Sequence, residues 1–320
     1  MERITDLSQV DFPVKLDQVY IRNTKSNRYK EAKGFKAVSG KTGQTEKIFS
    51  VVSDYYTLIP NIDAERIGRL IFKEYFEKIN TDDLVIFNVT FPETKSFCYI
   101  DLINKKYSFN LWEKEVYIPY MRITNSYNRS RSLKFEIGFS RKMCDNGVIF
   151  EKNVIDFNFI HYRNKQEIIL KKIKSSGKYE KLKRLEKEFT DYMKNLNEIK
   201  IEKRFYTPLT AKIFNMKFNI DSDTEKIKLR EKKRMKKFTD LCAIITDKYY
   251  NDLGSNAYSV FNLATELANN RDFVKSYRYN DYQTMAGKWL REFANKRINN
   301  PDDFSIEDYI KDYKYLIQNN

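Results

Sequence analysis

The sequence predicts an α+β protein: one leading helix, an antiparallel β-meander sheet, then an all-helical C-terminal half. Three observations carry this. Apolar residues alternate with period two in short runs through residues 84–162. The spacing becomes helical at about residue 163 and stays so to residue 318. Turn signals such as PETKS and INKK separate the runs in the first part. With 320 residues, 41% of them hydrophobic, the chain is long enough for a sizeable core in one large domain or two ordinary ones.

Residues 1–47 are polar and include the turn-rich GKTGQTEK at 40–47, so they read as an extended, partly ordered N-terminal arm. IFSVV (48–52) is a candidate strand. After it, Ile67, Leu70, Ile71, Tyr75 and Ile79 fall on one helical face, with Asp63 as cap and Asn80 as stop. LVIFNVTF (84–91), FCYIDLI (97–103), KYSFNLW (106–112), EVYIPYMRI (115–123) and SLKFEIGF (132–139) follow as strands, and residues 148–162 begin as another. In SLKFEIGF the alternation is plainest: Leu133, Phe135, Ile137 and Phe139 share a face.

Helices are expected over 165–200, 207–218, 223–252, 256–269, 281–297 and 305–318. Ser175-Ser176-Gly177 should break or kink the first. Thr207 caps the second, with Pro208 in its first turn. The expected organisation is an arm (1–47), a sheet-bearing unit with its leading helix (48–162) and a helical region (163–320). No Pro/Gly/Ser linker divides the last two, so the helices should pack on the sheet.

Net charge is +15, from 59 Lys and Arg against 44 Asp and Glu. A globular chain this basic points to a polyanion or an acidic protein as partner. The alternative is a solvated surface in a basic proteome. The cysteines, Cys98, Cys144 and Cys242, are odd in number and lack CxxC spacing, a reducing-compartment pattern. No 18-residue apolar run and no signal-peptide core occur, so a soluble cytoplasmic protein with no membrane role is expected.

Catalytic chemistry finds little support. The single histidine, His161, lies between Phe159, Ile160 and Tyr162, which suits a strand end or core edge better than a triad. No P-loop and no GxGxxG follows a strand. Asp82-Asp83 fits a turn, and Asp101 and Glu136 stand on strands with no metal-site spacing. A non-enzymatic protein with no cofactor and no metal is the expectation.

Two segments concentrate cations. Residues 171–187 hold eight Lys/Arg against two Glu, and KIKLREKKRMKK (226–237) holds eight against one. Within the second, Lys232, Lys233, Arg234, Lys236 and Lys237 are nearly consecutive, and phosphate contact is their natural use. The turn NSYNRSRS (125–132) adds Tyr127, Arg129 and Arg131: arginine forks grip phosphates and tyrosine stacks on an unpaired base. The bland readings are a solvated helix face and ordinary turn formers.

ITNSYNRSRSLKFEIGFSRKMCDNG also carries a resemblance. It is similar to the phage- and plasmid-like proteins grouped as domain-of-unknown-function family 932. Asn125, Ser126, Leu133, Arg141, Cys144 and Asn146 match the family's pattern, while Asn128-Arg129 replaces its usual Asp-Gly. LIPNIDA resembles its upstream strand-to-helix segment, and Asn262, Thr265 and Glu266 match its C-terminal helix. The resemblance implies a mobile-element protein with no settled activity. Its helix, meander and helices are broadly similar to phage single-strand annealing proteins.

The expected function is therefore nucleic-acid binding, with single-stranded DNA handling or annealing as the task. The rival is an anti-defence protein, of anti-CRISPR or anti-restriction type, docking on an acidic or nucleoprotein host complex. The pattern leaves room for an oligomer.

Overall fold

The computed structural model describes residues 5–73, 81–112, 115–143, 146–151, 179–219, 221, 224–270, 272–275, 278–299 and 304–317. Strands and helices run in the order β1 (Val14–Arg22), β2 (Tyr29–Thr42), β3 (Thr45–Ser53), α1 (Asn61–Lys73), β4 (Leu84–Thr90), β5 (Phe97–Asn104), β6 (Phe109–Trp112), β7 (Glu115–Ser126), β8 (Lys134–Arg141) and β9 (Asn146–Glu151). Then come α2 (Tyr179–Glu198), α3 (Tyr206–Ile213), α4 (Glu225–Leu253), α5 (Ala257–Asn269), α6 (Tyr279–Asn299) and α7 (Ile306–Tyr309). This is an α+β chain with an antiparallel meander and a mostly helical C-terminal half. His161, Cys144 and the basic residues 171–178 lie outside the described residues.

The N-terminal stretch departs from its expectation. It is not an extended arm: β1 and β2 pair antiparallel and β3 completes a three-stranded sheet. Only the base of this sheet is covered: Ala37, Val38 and Val52 are buried, whereas Tyr20–Arg22, Tyr29–Glu31 and Thr45–Ile48 are exposed, so polar residues dominate β1 and β2 and their apolar alternation is weak. Register shifts between Gln18 and Tyr20, and between Val38 and Ser39, break the period further.

The chain divides into two compact units that interleave along the sequence. The first comprises Met1–Tyr107, Ile118–Gly138 and Glu151–Arg184. The second comprises Ser108–Tyr117, Phe139–Phe150 and Leu185–Asn320. The large sheet has the order β4-β5-β7-β8-β9, with β6 also paired to β7.

In the first unit α1 buries Ala64, Ile67, Gly68, Ile71 and Phe72. Gly68 lets it approach the sheet closely, because a Cβ there would stand 2.1 Å from the Ile123 side chain. Val38 and Val52 of the small sheet pack with Tyr127, ringed by Phe12, Val14, Leu16 and Phe49.

In the second unit the core is aromatic. Phe139 and Phe189 lie 4.4 Å apart between ring centres, and Tyr117 and Phe150 close on Phe189 at 5.2 and 5.3 Å. Helix α5 is buried on nearly every side. Asn256 caps it, its side chain accepting from the Ser259 N–H at 2.9 Å. Gly287 of α6 meets β9 so tightly that a Cβ would lie 1.9 Å from the Ile149 carbonyl oxygen.

Candidate nucleic-acid interface

Lys, Arg and Glu favour a helix, and α4 begins with Glu225 in its first turn. It ends where Gly254 takes φ +85°, a conformation suited to glycine. From Phe238 onward one stripe is buried: Phe238, Cys242, Ile245 and Tyr249, at helical spacing. Before Phe238 the only buried residue is Glu231. The first three turns therefore stand in water. Lys226, Arg230, Lys232, Lys233, Arg234, Lys236 and Lys237 are exposed and Lys228 is half-buried.

Few of these cations are neutralised. Glu231 accepts from Arg234 at 2.8 Å and lies 3.5 Å from Arg230, while Glu225 is 3.7 Å from Lys228. Arg234 also lies over the Phe218 ring at 4.9 Å, and Lys237 donates to the Asp272 carbonyl at 2.8 Å. Lys226, Lys232, Lys233 and Lys236 carry no ion pair among the described residues. Cations near a helix N-terminus oppose its dipole, and cations a turn apart repel one another. An anion laid along this segment relieves both.

The turn after β7 is built differently from its expectation. Tyr127 is 1% exposed, so it cannot stack on a base. It continues the β7 face of Met121, Ile123 and Asn125 and packs against Phe12 and Phe49 at 5.8 and 5.5 Å. Its hydroxyl accepts from the Asn61 N–H at 2.9 Å. Arg131 is half-buried, its guanidinium 4.7 Å above the Phe97 ring and 5.5 Å from that of Tyr99, so it does not share an open face with Arg129. Arg129 alone of the three is exposed; it takes φ +59° at the tip and reaches the Val51 carbonyl at 3.4 Å. Arg129 and Arg131 belong to the first unit, and the five residues Lys232, Lys233, Arg234, Lys236 and Lys237 to the second.

Of the residues picked out by motif, Asn125, Ser126, Leu133, Arg141, Asn262 and Thr265 are buried and Glu266 is half-buried. Asn125 donates to Asn61 Oδ1 at 2.8 Å and to the Ile59 carbonyl at 2.9 Å, tying the end of β7 to the start of α1. Arg141 grips both oxygens of Glu115 at 2.7 and 2.6 Å. The Tyr258 hydroxyl donates to the same carboxylate at 2.6 Å and lies 3.0 Å from the Tyr117 hydroxyl. Burial raises the Glu115 pKa, but the Arg141 and Tyr258 bonds outweigh it and hold the carboxyl below its ordinary value. Asn262 donates to the Tyr258 carbonyl, and Glu266 accepts from Lys248 and Tyr249.

A second closed pair was not legible in the sequence. Arg122 and Asp101 stand opposite in the β5–β7 register and share two 2.7 Å hydrogen bonds. Both are buried, and the Arg122 guanidinium lies 5.5 Å from the Tyr99 and Tyr120 rings. Glu136 is buried on β8, and Asp83 pairs with Lys106 at 2.9 Å. Among the described residues no three His, Cys, Asp or Glu side chains gather as a metal site. No helix among them is long and apolar enough to cross a membrane.

Sequence comparison matches residues 48–288 to the family described as a domain of unknown function, DUF932. No curated protein and no solved structure matches the chain.

Proposed function

We propose that this chain, which belongs to the DUF932 family, is a nucleic-acid-binding protein that grips a sugar-phosphate backbone with the first three turns of α4. One observation carries the reading: between Glu225 and Lys237 eight cations face two acids, and all but one of the cations are exposed. A polyanion is the partner whose charge such a segment complements. A single strand is the preferred form and the cytoplasm the proposed compartment. The protein acts by binding and positioning, with strand annealing as the task this suits.

An acidic protein, such as a nucleoprotein complex of a host defence, would use the same surface. Fluorescence-anisotropy titration of the purified protein with single- and double-stranded oligonucleotides, at low and moderate salt, separates these. Binding that weakens steeply with salt is the expected result. Absence of binding to either form at low salt overturns the reading and leaves the acidic protein as the partner.

A further inference from the structure

The distal half of the β1–β2 hairpin is exposed where a strand pair would ordinarily be covered. Tyr20 is 60% exposed, Ile21 62% and Tyr29 69%. Strand β3 pairs β2 only from Phe35 to Thr42, so residues 20–31 form a two-stranded ribbon beyond the three-stranded base. The register shift between Gln18 and Tyr20 marks the join: one β1 residue, Val19, faces the four β2 residues Ala32–Phe35. The turn between the strands is fixed by Asn23, whose side chain accepts from the N–H groups of Lys25 and Ser26, and by Arg22, which donates to Asn27 at 2.7 Å.

Register decides what the ribbon presents. Tyr20 stands opposite Glu31, and Arg22 opposite Tyr29. Directly paired residues share a face, as do residues two apart on one strand. Tyr20, Arg22, Tyr29 and Glu31 therefore lie on one face, with the two tyrosines diagonal to each other at roughly 7–8 Å. Ile21 and Lys30 occupy the other face. The acid is engaged, Glu31 accepting from the Gln18 side chain.

Charge selects the occupant. From Tyr20 to Lys36 the chain carries Arg22, Lys25, Arg28, Lys30, Lys33 and Lys36 against Glu31 alone. A second copy of the chain would bring the same excess of positive charge against the ribbon and its turn, where Lys25, Arg28 and Lys30 add to Arg22, and be repelled. A polyanion is attracted. Apolar rings standing in water between cations match a strand whose bases are unpaired, since stacking needs an open base face and phosphates follow alongside. We infer that the β1–β2 ribbon is a single-strand platform, on which Tyr20 and Tyr29 each stack on a base while Arg22 and its neighbouring cations hold the backbone. The inference rests on the nucleic-acid reading but uses a different element, in the first unit, and assigns it a different part of the binding energy.

The test compares full-length protein with a doubly substituted Tyr20→Ala/Tyr29→Ala form. The probes are a labelled oligothymidylate, an abasic sugar-phosphate strand of equal length and a duplex. The double substitution should weaken oligothymidylate binding about ten- to hundredfold. It should leave abasic-strand affinity and the salt slope unchanged. Tyr20→Phe/Tyr29→Phe should bind like the wild type, because the ring and not the hydroxyl stacks. Unchanged oligothymidylate affinity in the Ala form, with a Lys232→Ala/Lys233→Ala/Lys236→Ala form weakened, overturns the ribbon and keeps the α4 reading. An equal loss on duplex and single strand also overturns the platform. Wild-type protein that binds none of the probes removes both. Sedimentation showing a wild-type dimer that Tyr20→Ala/Tyr29→Ala dissociates assigns the face to a second copy instead.

Discussion

Asn125 and Asn61 meet side chain to side chain at 2.8 Å, 64 residues apart in sequence, and thereby lock the end of β7 to the start of α1. Asn61 continues the link by donating to the Val10 carbonyl at 2.8 Å. Asn125→Ala leaves the Ile59 carbonyl and Asn61 without their donor. The expected cost is about 1–3 kcal/mol. It should show as a lower urea midpoint with nucleic-acid affinity intact; an unshifted midpoint contradicts the structural role.

Tyr127 separates packing from stacking. Tyr127→Ala empties a site lined by Phe12, Phe49, Val38 and Val52 and should cost about 3–5 kcal/mol, in the range of large aromatic truncations. Tyr127→Phe loses only the bond from the Asn61 N–H and should cost about 1 kcal/mol. Thermal unfolding of the pair is the measurement. Binding by the Phe form should equal that of the wild type.

The α4 cations set the salt dependence. Replacing Lys232, Lys233 and Lys236 with Ala removes three exposed charges, so the slope of log affinity on log salt should fall by about two units, at ~0.7 per phosphate on a single strand. Stability should hold, since exposed charges on a helix contribute little. An unchanged slope would place the phosphate contacts elsewhere.

Gly287 is a steric test of the second unit. Any Cβ there meets the Ile149 carbonyl at 1.9 Å, and backbone cannot rotate away as a side-chain tip can. Gly287→Ala should destabilise by about 1–3 kcal/mol or more, despite alanine's better helix propensity. Chemical denaturation reads this directly; a stabilised variant would show that α6 and β9 are looser than the geometry states.

Glu115 gives the fold an acid dependence. Its folded pKa lies below the ordinary 4.5, so the unfolded chain takes up the proton first. The stabilisation is fully present above that value and is lost as pH falls through the lowered folded value. Glu115→Gln should be less stable than the wild type at neutral pH, by about 3–5 kcal/mol for a broken buried pair. The gap should narrow in acid. Melting temperatures of both forms across the acid range decide it.

Much of this architecture was legible because burial writes itself into spacing. The stripe Phe238, Cys242, Ile245, Tyr249 and the alternation Phe135, Ile137, Phe139 could be read without coordinates. Strands β1 and β2 could not, because burial is confined to their base, around Val38, while their distal halves are exposed, and register shifts interrupt the pairing. The exposure of α4 followed from its composition: no packing could bury eight cations on twelve residues. Asn125-Ser126-Tyr127 has the composition of a turn, and that composition hides the burial of Tyr127. These residues continue β7, whose last eight residues are buried on both faces, so no polar alternation marks where the strand gives way to the turn. Arg122 and Asp101 escaped notice because nothing in two sequence positions 21 apart announces that a register will set them opposite.

The interleaved units constrain how this chain comes into being. Residues 108–117 and 139–150 belong with a body whose remaining parts begin at Leu185, so they must wait for those parts to leave the ribosome. A nascent chain that has reached the end of β9 holds aromatic strand ends, among them Phe109, Tyr117, Phe139 and Phe150, with Phe189 not yet made. Such pairing across long sequence distances is slow and leaves apolar edges open while it waits. Cutting the gene at the boundary between meander and helices would strand those edges permanently. The division convenient to a cloner is thus not one the folding chain recognises, and synthesis, not only equilibrium, becomes a stage at which this protein is vulnerable.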